Sequence, residues 1–130
     1  MTAGYSATPQ ARKLGLKPGH RVALVAPPDG WALTDPPELD YVGADEAAEV
    51  IVAFLRTAAE LPSAAALGGR IFPNGMLWVA WPRRAAGHRS DLTEDLIRAA
   101  VLPLGLVDVK VAAIDHDWSG LKIVWRRANR

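Results

Sequence analysis

Cysteine is absent from the 130 residues, which excludes disulfides, thiolate catalysis and cysteine-based zinc sites. No apolar run approaches the roughly 18 residues that a membrane span needs. The opening stretch is polar and basic, with no apolar signal core. These absences lead us to expect a cytoplasmic protein, neither secreted nor membrane-inserted. Internal repeats and low-complexity tracts are missing, and no serine lies in a nucleophile elbow. Net charge is nearly missing too, at +1, but that small sum hides a segregated distribution.

Arg12, Lys13, Lys17 and Arg21 form a basic block with no acid among them. From Asp29 to Glu60 the chain carries Asp29, Asp35, Glu38, Asp40, Asp45, Glu46, Glu49 and Glu60, opposed only by Arg56. Arg83, Arg84, Arg89, Arg126, Arg127 and Arg130 restore the balance. Such segregation can steer a charged partner, although the interleaved acidic stretch argues against a nucleic-acid binder. Half of the residues are hydrophobic, which is ordinary globular composition, and the length suits one core. The expected organisation is an N-terminal arm over 1–16 and a single α/β domain over 17–130.

Met1 to Gln10 reads as irregular, Ala11 to Leu16 as one helical turn, and Lys17-Pro18-Gly19 as a turn. Val22 to Ala26 is a short apolar run closed by Pro27-Pro28, as in a strand buried on both faces. Four prolines between Pro27 and Pro37 predict a loop, and Leu39 to Val42 a weak edge strand. Glu49 to Leu55 admits a helix begun at Asp45. It is apolar on all sides and opens on β-branched residues, so a buried strand is the better assignment. Thr57-Ala58-Ala59-Glu60 matches a capping box for a helix disturbed by Pro62. Asn74-Gly75 predicts the tight turn before a strand over Met76 to Trp81, which leads Trp78 into the core. Asp91-Leu92-Thr93-Glu94 matches a second capping box, with Leu92, Leu96, Ile97, Ala100 and Val101 following at helical spacing. Leu106 to Ile114 and Leu121 to Trp125 complete a hairpin.

Strands alternating with helices imply a small Rossmann-like α/β fold, a mainly parallel sheet with a C-terminal antiparallel hairpin. The segments Leu16 to Val25, Leu77 to Arg83, Asp91 to Asp95, Gly105 to Asp115 and Trp118 to Lys122 resemble a bacterial family known only as a domain of unknown function (number three-zero-five-two). That resemblance covers nearly the whole chain and implies no activity. At the level of fold the chain also resembles the class I S-adenosylmethionine-dependent methyltransferases. In those, a Gly-rich loop after the first strand approaches the cofactor with free amides. Here the loop is Ala26-Pro27-Pro28-Asp29-Gly30-Trp31, whose prolines remove two donors. Asp40, at the end of the second strand, stands where the family holds a ribose.

If the strands at Val22, Met76 and Leu106 are parallel, three loops share the carboxyl edge, where open α/β sheets bind ligands. They gather Asp29, Trp31, Arg83, Arg84, His88, Asp115, His116, Asp117 and Trp118. Arg83 and Arg84, near the start of a helix, suit an anion. Asp115-His116-Asp117 holds ligand-type residues, but neighbours alternate faces in a strand and no second cluster completes a metal site. His20 and His88 lack partners that would mark a general base. Of the five tryptophans, Trp78 and Trp125 are expected in the core, and Trp31, Trp81 and Trp118 beside the loops. No catalytic or metal-ligating residue and no cofactor is assigned. The expectation is a non-catalytic or degenerate methyltransferase-like module, binding a small anionic or nucleotide-like ligand or a protein partner at the carboxyl edge. The alternative is an atypical S-adenosylmethionine-dependent methyltransferase.

Overall fold

The computed structural model describes residues 8–43 and 45–130; of the arm expected over 1–16, residues 1–7 lie outside them. Among the described residues six strands form one sheet: β1 (Arg21–Val25), β2 (Asp40–Tyr41), β3 (Val50–Phe54), β4 (Met76–Pro82), β5 (Leu106–Ala113) and β6 (Trp118–Trp125). Their order across the sheet is β2-β1-β3-β4-β6-β5. β2, β1, β3 and β4 pair in parallel. β6 is antiparallel to both β4 and β5, so β5 runs with the parallel set. Among the described residues three α-helices accompany the sheet: α1 (Gln10–Leu14), α2 (Leu61–Ala65) and α3 (Glu94–Val101). Among the described residues no helix is long and apolar enough to cross a membrane.

Every residue of β3 is buried, because both faces of the sheet are covered there, and this is why its sequence shows no alternation. On one face Ile51, Ala53, Leu77, Val79, Leu121 and Ile123 pack under α2 and α3. On the other, Val22, Val50, Val52, Phe54, Trp78 and Ile114 pack under Leu14, Leu16 and Leu33. Leu14 and Leu16, assigned to the arm from sequence, are therefore core residues. The cover on this second face is α1 and a loop, since the prolines between β1 and β2 leave no room for a crossover helix. Trp78 is fully buried, and its indole Nε1 donates to Leu14 O at 3.2 Å, satisfying the one polar atom it brings into the core.

Two start signals are corrected in detail. Thr93 caps α3, its Oγ1 accepting from Leu96 N at 3.2 Å, while Asp91 instead accepts from Ala58 N at 2.8 Å. This shifts the inner face of α3 to Ile97 and Val101 and leaves Leu96 exposed. The turn before β4 occupies 72–74, and Gly75 is required by proximity. A Cβ there would lie 2.8 Å from Ile71 O and 2.9 Å from Glu49 O. At the amino ends of β1 and β3, Arg21 N donates to Glu49 Oε1 at 2.6 Å and the guanidinium pairs with the same carboxylate. That hydrogen bonding holds the Glu49 carboxyl down at about 2, against its ordinary 4.5.

Trp78→Ala should cost about 3 to 5 kcal/mol in urea denaturation, as for an aromatic removed from a packed interior; a loss under about 1 kcal/mol would contradict the core assigned here. Glu49 supplies stability that is complete above pH 4.5 and lost as pH falls toward 2. The pair is partly exposed, so solvent screening limits this to about 1 kcal/mol. Glu49→Gln should thus be less stable than wild type at pH 7, with the difference vanishing near pH 2; a pH-independent difference would rule out the ion pair as its cause.

Candidate functional site

The hairpin turn and the loop after β4 share one edge of the sheet, because Arg83 N donates to Asp117 O at 2.8 Å. That is the carboxyl edge of the parallel strands. Asp115 shapes the turn: its Oδ1 accepts from Asp117 N at 2.8 Å and Trp118 N at 2.9 Å. Its Oδ2 accepts from Trp31 Nε1 at 2.8 Å, which ties the loop after β1 to the hairpin. Among the described residues no group of three or more His, Cys, Asp or Glu could hold a metal ion.

The crevice between β1 and β3 is the switch point of this sheet, where the chain leaves β1 toward β2 on one side and β3 lies on the other. On the α1 face it is filled by side chains, whereas on the α2 face a cavity of about 440 Å³ opens at the same strand ends, lined among others by Val25, Ala26, Ala53, Glu60 and Ser63. Trp31 and Trp118 meet Phe54 edge-on, at centroid distances of 4.8 Å and 5.0 Å. Arg56 reaches across the strand ends, its Nη1 donating to Ala26 O at 2.6 Å and Phe54 O at 3.1 Å. Its guanidinium lies 5.4 Å from the Trp118 ring centroid, within cation–π range. Ala26 has φ of 54°, a left-handed conformation costing a non-glycine residue about 1 to 2 kcal/mol, and it turns its carbonyl to the guanidinium.

A further space of ligand size lies on the α3 face. A cavity of about 680 Å³ sits between β4, the β5–β6 hairpin and α3, within the range of ligand pockets. Trp81, Val111 and Ala113 give it an apolar wall, and Arg83, Arg84 and Ser119 line it at the strand ends. Glu94, Asp95 and Arg98 line it from α3. Arg98 bonds Glu94 and Asp95 at 2.9 Å each and Asp108 at 2.8 Å. One guanidinium thus answers three carboxylates, leaving the α3 side net negative and the arginine side positive. Arg84 has no ion-pair partner among the described residues. Arg83 is 7% exposed, and its Nη1 donates to His116 O at 3.0 Å.

The residues singled out from sequence thus separate into groups. Trp31, Asp115 and Trp118 come together, but as the packed closure of one face; Trp118, expected at a loop, is buried, and Trp125, expected in the core, is half-buried with its Nε1 donating to Gly68 O at 2.9 Å. Arg83 and Arg84 line the cavity without them. The separation follows from strand alternation, which sends Trp118 and Ser119 to opposite faces. His88 pairs with Asp117 at 2.9 Å in an exposed contact, and this hydrogen bond lowers the Asp117 carboxyl below its ordinary range. Asp29 is exposed at a turn outside the cavity. Asp40 begins β2, opposite Arg21, so it lies at the amino half of the sheet and cannot hold a ribose at the carboxyl edge. His20 is on that amino side too, its Nδ1 accepting from Lys17 N at 3.2 Å. Arg56 was missed, yet it carried a signal: the only base in the long acidic stretch, directly after a buried strand.

No family model matches the sequence, so the resemblance to the bacterial family of unknown function stands on the quoted segments alone. No curated protein matches it. Among solved structures the chain is similar to Aeropyrum pernix fibrillarin in complex with natively bound S-adenosyl-L-methionine, at 14% identity and a TM-score of 0.53. The match covers 88% of this chain and 73% of that one. The likeness is one of fold alone, a mixed α/β architecture built on a six-stranded sheet.

Trp31→Phe keeps the ring against Phe54 and removes only the bond to Asp115. It should cost about 1 to 2 kcal/mol and make the 26–33 loop more susceptible to limited proteolysis. Equal stability and equal cleavage would show that the indole bond does not anchor the loop.

Proposed function

We propose that the chain is a Rossmann-like, methyltransferase-type module in which the usual cofactor crevice is closed on the α1 face, leaving at the ends of β1 and β3 only the 440 Å³ space beside α2. A small anionic, nucleotide-like ligand is taken instead in the cavity between α3 and the hairpin. The observation that carries this reading is Arg56, bonded to the carbonyls that end β1 and β3. A cofactor entering from that face would have to break both bonds and part Trp118 from the guanidinium. Pro27 and Pro28 would still offer it no amide.

The cavity supplies what the crevice lacks. Trp81 offers a flat apolar wall for a ring, Arg84 a cation for an anionic group, and the carboxylates of Glu94 and Asp95 acceptors for ring amino groups or hydroxyls. That division of charge suits a ligand with a planar donor-bearing end and an anionic end. No side chain lining it forms a nucleophile and base pair, so binding rather than turnover is the reading the geometry supports. A second reading, an atypical methyltransferase, draws on the fibrillarin structure and its bound S-adenosyl-L-methionine; it requires Arg56 to swing aside.

Calorimetric titration with S-adenosylmethionine separates the two. We expect no binding in the low micromolar range, and a dissociation constant there would overturn the closed crevice and put the enzyme reading first. Adenosine monophosphate at millimolar concentration should raise the unfolding midpoint of wild type and do so much less for Arg84→Ala. No rise in wild type, or an equal rise in both proteins, would remove the cavity as the nucleotide site.

A further inference from the structure

On the face covered by α1, one row of side chains runs across the sheet as Val52, Trp78, Lys122 and Lys110. The first two are fully buried. The other two are lysines directly opposite each other on antiparallel strands, a position that brings Cβ atoms to about 5 Å. Like charges so placed destabilise a sheet. Lys110 alone has a simple reason to be there, since charge on the edge strand β5 discourages pairing with another chain. Lys122 has none: it sits on the inner strand β6 and is only half-exposed. Neither ammonium has an ion-pair partner among the described residues. Asp108, the carboxylate nearest in sequence, is held by Arg98 on the opposite face.

Burial, then the neighbouring Lys110 charge, lower the Lys122 ammonium from its ordinary range. The Val107 and Val124 pair bounds the two lysines on one side and the Ala112 and Gly120 pair on the other, so the flanking side chains along the strands bring no carboxylate to the amines.

We propose that Lys110 and Lys122 together bind a dianionic phosphate group between their ammonium groups. A dianion neutralises both charges at once, and its tetrahedral oxygens can accept from two donors approaching from adjacent strands, whereas a carboxylate neutralises one. The site is independent of the cavity at α3, from which the intervening sheet separates it.

The test uses the whole chain, with Lys110→Met and Lys122→Met, which keep an unbranched apolar stem. In chloride, both variants should unfold at a higher temperature than wild type, because the like-charge contact is gone. Replacing chloride by inorganic phosphate at equal ionic strength should raise the wild-type midpoint by about 2 to 5 °C more than that of either variant; comparing proteins cancels the general stabilising effect of the salt. Glycerol phosphate, a monoester dianion, should reproduce the effect, and dimethyl phosphate, a monoanionic diester, should not. Carbon NMR of the lysine ε positions gives a second readout: Lys110 and Lys122 should shift saturably with phosphate while Lys17 does not. Equal phosphate responses in wild type and variants, or shifts spread over all lysines, would overturn the proposal. A response to dimethyl phosphate as large as to the monoester would overturn its dianionic character.

Discussion

Phe54 ends a strand that is buried on both faces, and the exposed rim of its ring has to be covered by whatever the neighbouring loops carry. Two tryptophans supply that cover, one from the loop after β1 and one from the start of β6. Their placement fixes much else. Trp31 can reach Phe54 only if the proline-rich loop lies across the sheet, and Asp115 holds it there from the hairpin turn. Trp118 in turn presents a ring to Arg56, which is then in place to satisfy the carbonyls at the ends of β1 and β3. On the α1 face, an edge that open α/β sheets commonly leave available for ligands is here a packed and hydrogen-bonded surface.

Much of the architecture was legible because its signals are local. The run Val50 to Phe54 is apolar on every side, and only a strand covered on both faces accommodates that. The β5–β6 hairpin and α3 announce themselves by turn residues and spacing. What sequence could not give is the facing of individual side chains at element ends. Trp118 and Ser119 are neighbours in the chain, yet one roofs the core and the other opens onto a cavity. Asp40 fell at the wrong end of its strand because β2 is only two residues long, too short to reach the carboxyl edge. His88 met Asp117 across 29 positions of chain, a contact no spacing rule reveals.

The two faces of the sheet divide the labour. Where α2 and α3 pack, the helices leave a space near the carboxyl edge, and Arg98 gathers the nearby acids so that they face it as an ordered set. On the face of α1 and the loop, aromatic rings fill the space over Phe54, and cover thins over the hairpin, at Lys122 and Lys110. Mixed charge on one side and uncompensated cations on the other follow directly from which strand each helix reaches.

The manner in which α1 is attached bears on how the molecule comes into being. Gln10 Nε2 donates to Ile114 O at 2.8 Å and Lys13 Nζ to Ala113 O at 3.0 Å, across 104 and 100 positions of chain. Leu14 closes over Trp78, a strand made much later than α1 itself. Leu14 and Leu16 can pack on β1, β3 and β4 once these strands pair, but the two hydrogen bonds of α1 to the end of β5 wait for the hairpin. Contacts so distant in sequence form slowly because the loop must close before they contribute. Until then the cover over Val52, Phe54 and Trp78 lacks the two bonds that tie α1 across the sheet to the hairpin.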